Sequence, residues 1–234
     1  MTDLNTNEAI AKTVSGGIGG TMASPASFLF GEAYATKVNG KPFSPHCPKF
    51  WANGSQPPKP RMPGGVFLEA AKSGGINPLS YGLGQAIASK IEKPELASVI
   101  SGAIGGVLQG TFDRTPKSSA KNLIPGHGLR LGALFGTNQL LDTLNPQEKP
   151  TVTWQATKCV VAAAVAKPFN DAVIHIKSGD NINKAIRKII EGGAKSYKAG
   201  ICPRVGSAST ALFGCIEGQK RFTGFVRDSL EVSR

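Results

Sequence analysis

Charged residues are spaced unevenly along the chain, and the gaps between them are the first feature with structural content. Thr13–Gly31 runs 19 residues without a charge and Leu96–Phe112 runs 17. Leu131–Leu141, Cys159–Ala166 and Val205–Ile216 are shorter charge-free windows of the same kind. Only the first reaches the length of an obvious membrane-spanning helix. Prolines fall at Asn77-Pro78, Lys93-Pro94, Ile124-Pro125 and Cys202-Pro203. Proline near a helix start costs no intrahelical hydrogen bond. Windows and prolines together predict helices over 8–37, 78–92, 94–113, 125–144, 153–176 and 203–226. Two shorter segments have amphipathic spacing. NKAIRKIIE sets Ala185, Ile186, Ile189 and Ile190 against Lys184, Arg187 and Lys188, and GGVFLEAAK repeats the spacing with Val66, Phe67, Ala70 and Ala71.

The windows are made of small residues. SGGIGG (15–20) and SGAIGG (101–106) each contain a GxxxG pair, Gly16/Gly20 and Gly102/Gly106. In a helix surrounded by water each such glycine costs about 1 kcal/mol relative to alanine. In a membrane bundle the same residues let backbones approach closely. A phosphate-binding glycine loop needs a preceding strand and a following Lys, and neither is present. A polar-lined bundle of membrane helices is the reading that uses all the windows, although the mean hydropathy of −0.09 is that of a soluble chain.

Aligned on these windows, the chain repeats. SGGIGGTMASP (15–25) matches SGAIGGVLQGT (101–111) and, more weakly, KCVVAAAVAKP (158–168). After each comes a second pattern: Tyr81-Gly82-x-x-Gln85, Phe135-Gly136-x-x-Gln139 and Phe213-Gly214-x-x-Glu217. The order is a strict alternation, three times over. The intervals between the paired helices hold the amphipathic segments in repeats one and three. Repeat two has too short an interval for one.

Among 234 residues, 27 Lys and Arg outweigh 15 Asp and Glu, giving +12. That balance suits nucleic acid or an anionic membrane surface equally, and the windows decide for the membrane, with no nucleic-acid partner expected. Cys47, Cys159, Cys202 and Cys215 include no CxxC, and no metal site is expected. His46, His127 and His175 lie far apart, no catalytic triad or paired-carboxylate pattern occurs, and no enzyme activity or cofactor is expected. The N-terminal MTDLNTNEAIAKT has neither a secretory signal nor an Arg-rich presequence.

Three units of helix, short amphipathic helix and helix resemble the mitochondrial carrier family. The likeness is strongest over 165–221, where KPFNDAVIHI, NKAIRKIIEGGAKSYKAGICPRVG and ALFGCIEGQK follow the family's order of motifs. The resemblance implies an all-α membrane protein of three tandem helical-hairpin repeats, approximately 8–92, 94–144 and 153–226. It implies six transmembrane helices with short surface helices, multi-pass in the mitochondrial inner membrane. The Pro-rich insertion 43–65, with Phe50 and Trp51, has no family counterpart and is either a contact arm or a disordered loop.

The gate motifs depart from the family. In the odd helices the acid–base pair is missing from Pro25-Ala-Ser27-Phe-Leu-Phe30. Thr111-Phe-Asp113-Arg-Thr-Pro116 keeps the acid alone, and Pro168-Phe-Asn170-Asp-Ala-Val173 keeps only the proline. In the even helices one pair survives, Glu217 and Lys220. Alternating access needs two closed states, each held by contacts that the other lacks, so these losses predict a transport-incompetent accessory subunit of a larger respiratory-chain or ATP-synthase assembly. The alternative is an active, divergent carrier of an anionic metabolite. The family's cavity-facing arginines correspond to Arg130 and Arg204, which either bind solute or snorkel to the interface. Tyr197, Lys198 and Gly200 resemble the element that binds cardiolipin, the one lipid ligand the likeness implies.

Overall fold

A computed structural model describes residues 7–8, 10–23, 79, 94–147, 149–198 and 200–232. These residues are helical or in turns. The helices are α1 (10–23), α2 (Pro94–Phe112), α3 (Ala120–Leu144), α4 (Val152–Lys177), α5 (Ile182–Lys198) and α6 (Ile201–Val232). The predicted helix 78–92, the amphipathic GGVFLEAAK, the insertion 43–65 and the second half of the predicted first helix lie outside the described residues. The interval between α2 and α3 carries only turns.

Two predicted boundaries move. α3 begins at Ala120, five residues before the expected start, and runs through Pro125. Pro125 is then too far into the helix for its missing N–H to be free of cost. It and Lys121, whose carbonyl loses that donor, are both exposed. The Ser119 carbonyl opens the helix by accepting from the Asn122 and Leu123 amides. α6 extends to Val232, so Pro203 sits within its first turn, where it breaks no bond.

α2 packs on α3, α3 on α4, and α4 on both α5 and α6. α1 returns to the end of the chain and packs on α6. Two of these contacts are backbone to backbone. On α2, Ser98, Gly102, Gly106 and Gly110 recur every fourth residue and meet Gly136, Gly132, Gly128 and Ile124 of α3 in an antiparallel register. On α1 the contacting line is Ser15, Gly19 and Ala23, facing Gly214 and Gly218 of α6. That corrects the expected pair. Gly16 meets only the Gln219 side chain, 3.0 Å from where a Cβ would stand, while the fourfold spacing puts Gly19 in the closest line.

The interior is mixed. Among the described residues, seventeen buried side chains are polar or charged and fifteen are apolar. The outward faces carry Ile10, Val14, Ile18 and Met22 on α1, Val99 and Val107 on α2, and Val160, Val161 and Val165 on α4. In water this arrangement exposes apolar surface while stripping charges of solvent, two costs at once. Among the described residues, α4 is the one helix long and apolar enough to cross a membrane.

The amphipathic segment is α5. Ala185 is buried and Ile182 and Ile189 pack against Leu123, Ala172, Val173 and Ile176. Ile190, expected on the same face, is 72% exposed. Asn181 starts the helix by accepting the Lys184 amide on its side chain at 2.8 Å.

Candidate functional site: three ion-pair layers on helix α4

α4 contributes a lysine to each of three ion-pair layers, of which the middle one is fully buried. Lys158 and Lys167 are nine residues apart, two and a half helical turns, and leave α4 on opposite sides. A helix can bury cations on both sides only if it is enclosed on both sides. α4 is enclosed by α3 on one flank and by α5 and α6 on the other.

In the first layer, Lys158 pairs with Asp142 near the end of α3. Lys158 is 2% exposed, and Gln155 and Asn138 are buried beside the same α3–α4 seam. Glu217 of α6 holds Lys220 at 3.1 Å and Arg221 at 3.5 Å. Glu217 is thus satisfied within its own helix.

The middle layer is the driest. Asp171 accepts from Lys167 Nζ on one carboxylate oxygen and from Arg204 Nη1 of α6 on the other, each at 2.5 Å. All three side chains are at most 1% exposed. Lys167 donates a further hydrogen bond, 2.8 Å, to the Ser196 carbonyl in the last turn of α5. Gly193, with φ of 46°, kinks α5, so Ser196 lies in the short turn after the break. The Tyr197 ring lies 5.4 Å from the same ammonium, and the Tyr197 hydroxyl donates to the Ala164 carbonyl at 3.1 Å. Gly200, with φ of 63°, turns the chain between α5 and α6, and a Cβ there would stand 3.4 Å from the Arg204 guanidinium carbon.

The third layer joins α2, α3 and α4. Asp113, just past α2, accepts from Lys177 Nζ at 2.5 Å and lies 3.1 Å from His127 Nε2. Arg130, one turn beyond His127, donates to Gln109 of α2. Thr115 Oγ1 donates to the Lys177 carbonyl at 2.8 Å and fastens the α2–α3 turn to the end of α4. Burial would raise the Asp113 carboxyl, but the His127 and Lys177 contacts outweigh it and hold the group well below the usual carboxylate range. At the α4–α5 turn, Asp180 is likewise held down, against burial, by Lys188 at 2.6 Å and Lys184 at 3.2 Å.

The depressed carboxyl of Asp113 has a pH consequence. Its folded-state pKa lies below the unfolded value of about 4, so its contribution is complete above that pH and is lost as the pH falls below it. Asp113→Asn is expected to lower stability by about 1–2 kcal/mol at neutral pH. The difference from the parent should shrink in acid. Unfolding midpoints from pH 7 down to 3 check this, and a pH-independent difference counts against the pairing.

Of the residues singled out from sequence, Arg204 is in the middle layer and Arg130 in the third. Snorkelling is excluded for Arg204, because its guanidinium is buried and paired. Tyr197 lies beside the middle layer with its hydroxyl turned inward, and Lys198 is exposed. Asp113 pairs with Lys177, nine residues beyond Pro168. Sequence reading missed Lys158, Lys167, Lys177, His127 and Gln109 as members of one interior. Among the described residues no group of His, Cys, Asp and Glu is arranged to hold a metal.

No known protein family, no curated protein and no solved structure matches the chain.

Proposed function

We propose that the chain is a carrier-like helical protein of the mitochondrial inner membrane that serves as a structural or accessory subunit and does not transport. One observation carries this reading. α4 is tied to its neighbours at both ends and in the middle at once, by Asp142–Lys158, Asp171–Arg204 and Asp113–Lys177. Alternating access requires that one end open while the other is closed. Contacts held at both ends stabilise a single closed state, and the two glycine seams add to it.

The membrane reading is supported by the buried ion pairs and the outward valines of α4, and the carrier-like arrangement by the helix order. α2 packs on α3, α3 on α4 and α4 on α6, and the first helix closes on the last. The mitochondrial location, the host assembly of inner-membrane subunits and cardiolipin at Tyr197, Lys198 and Gly200 follow from the resemblance over 165–221.

The test is purification from mitochondrial membranes in mild detergent, followed by reconstitution of the isolated chain. Stoichiometric co-migration with a multi-subunit complex is expected, with no uptake of anionic metabolites by loaded vesicles above protein-free controls. Saturable exchange that disappears in Arg204→Ala would establish the anionic-solute carrier instead.

A further inference from the structure

Charge is shared unequally between the two ends of the bundle. The end built by 142–158 and 217–232 carries five Lys and Arg against five Asp and Glu. The opposite end, built by 113–121 and 177–191, carries seven against three. Two of those acids are already engaged: Asp113 holds Lys177, and Asp180 holds Lys184 and Lys188. Arg114, Lys117, Lys121 and Arg187 are exposed, and among the described residues none of them has an ion-pair partner.

Two observations set this end apart from an ordinary solvated face. The first is that its cations are held together. Thr115 Oγ1 donates to the Lys177 carbonyl at 2.8 Å, and the Ile182 amide donates to the Asn122 side chain at 3.4 Å. The Lys117 backbone lies against Gly179, where a Cβ would stand 3.6 Å from the Lys117 carbonyl oxygen. The α2–α3 turn and the start of α5 therefore form one surface, which has little further backbone entropy to lose on binding. The second is Ile190. It is 72% exposed and lies one turn beyond Arg187, an apolar anchor at the border of the basic face.

We propose, on the accessory-subunit reading, that this face docks an acidic segment of a partner protein. The segment's carboxylates meet Arg114, Lys117, Lys121 and Arg187, and an apolar side chain within it covers Ile190. Other occupants fit less well. A second copy presents the same excess of cations. The chain's own 24–93 carries eight Lys and Arg against Glu32, Glu69 and Glu92, and would add to the repulsion. An amphipathic helix grips an anionic bilayer through its apolar face, and that face of α5, Ile182, Ala185 and Ile189, is turned into the bundle. Single-stranded nucleic acid stacks on aromatic side chains, and 113–121 and 177–191 contain no Phe, Trp or Tyr.

The experiment titrates the full chain, in nanodiscs of zwitterionic lipid, with a labelled Glu-rich peptide carrying one central leucine. Saturable binding that weakens as salt rises is expected. Lys117→Gln, Lys121→Gln and Arg187→Gln combined should weaken it about tenfold. Ile190→Ser should weaken it severalfold and leave the salt dependence unchanged. Replacing the peptide's leucine with serine should cost the parent the same factor and cost Ile190→Ser nothing further. All variants should melt with the parent, since the changed side chains are exposed. Undiminished binding by the combined variant, or independent losses at Ile190 and at the leucine, overturns the proposal. So does loss of peptide binding when phosphatidylglycerol replaces part of the bilayer, or tighter binding of a single-stranded RNA of equal charge. In mitochondrial membranes the combined variant should no longer co-migrate with the complex that retains the parent. A variant that still co-migrates overturns this surface and leaves the accessory reading standing, whereas a parent that migrates alone overturns both.

Discussion

Asp171→Asn is expected to lower stability by about 3–5 kcal/mol, the largest effect of any single charge change in the chain. Asp171 is the one carboxylate between Lys167 and Arg204, and all three are sealed from solvent. Asparagine preserves shape and loses the charge. Two buried cations then face each other across a neutral amide. Arg204→Met should cost less, because Asp171 keeps Lys167 and no charge is stranded. Replacing all three residues with apolar ones of similar volume should recover most of the loss, since an intact buried ion cluster contributes little beyond its own desolvation. Unfolding midpoints of the four proteins in one detergent decide the matter. An Asp171→Asn protein as stable as its parent would show that the middle layer is wet or unformed.

The charge pattern showed where the layers are but not that they are layers. Asp113 ends one charge-free window, Arg130 and Asp142 flank the next, Lys158 and Lys167 bound the fourth, and Arg204 opens the fifth. In a single sequence such flanking charges read as helix ends at the membrane surface. That they turn inward depends on which helices become neighbours. Asp113 and Lys177 are brought together from 64 positions apart, and no local spacing encodes the pairing. Helix positions for α2 to α6 were legible because proline punctuation and composition act locally. The start of α3 was not, because helix propagation from Ser119 outweighed the bond lost at Pro125.

The glycine seams and the ion layers act on different helices, and the division has a consequence. α4 lies between α3 and α6 and carries the lysines, yet it has no glycine at all. Its contacts are held by side chains and can be weakened one charge at a time. The α2–α3 and α1–α6 pairs are held by backbone contact and behave as units. A conformational change, if a partner drives one, would move α4 against two fixed pairs.

Within the α2–α3 seam, glycines on the two sides of one contact should respond with opposite sign. A Cβ on Gly102 would stand 2.6 Å from the Gly132 Cα, and one on Gly106 2.7 Å from the Gly128 Cα and the Ile124 carbonyl oxygen. A Cβ on Gly132 would meet nothing within 4 Å, and one on Gly128 only the Gly102 carbonyl at 3.7 Å. The α2 positions aim at the facing backbone, and the α3 positions pass beside it. Gly132→Ala should therefore be neutral or stabilising by up to about 1 kcal/mol through helix propensity alone. Gly102→Ala gains the same propensity but drives two backbones apart, and a net loss of about 1–2 kcal/mol is expected. Gly106→Leu, in the middle of the seam, should cost about 3 kcal/mol or more and separate the helices. Single cysteines on the outer faces of α2 and α3, spin-labelled in the parent and in Gly106→Leu, would register the separation as a longer inter-label distance. Equal responses of Gly102→Ala and Gly132→Ala would mean that the two helices meet in a different register, and the seam would have to be redrawn.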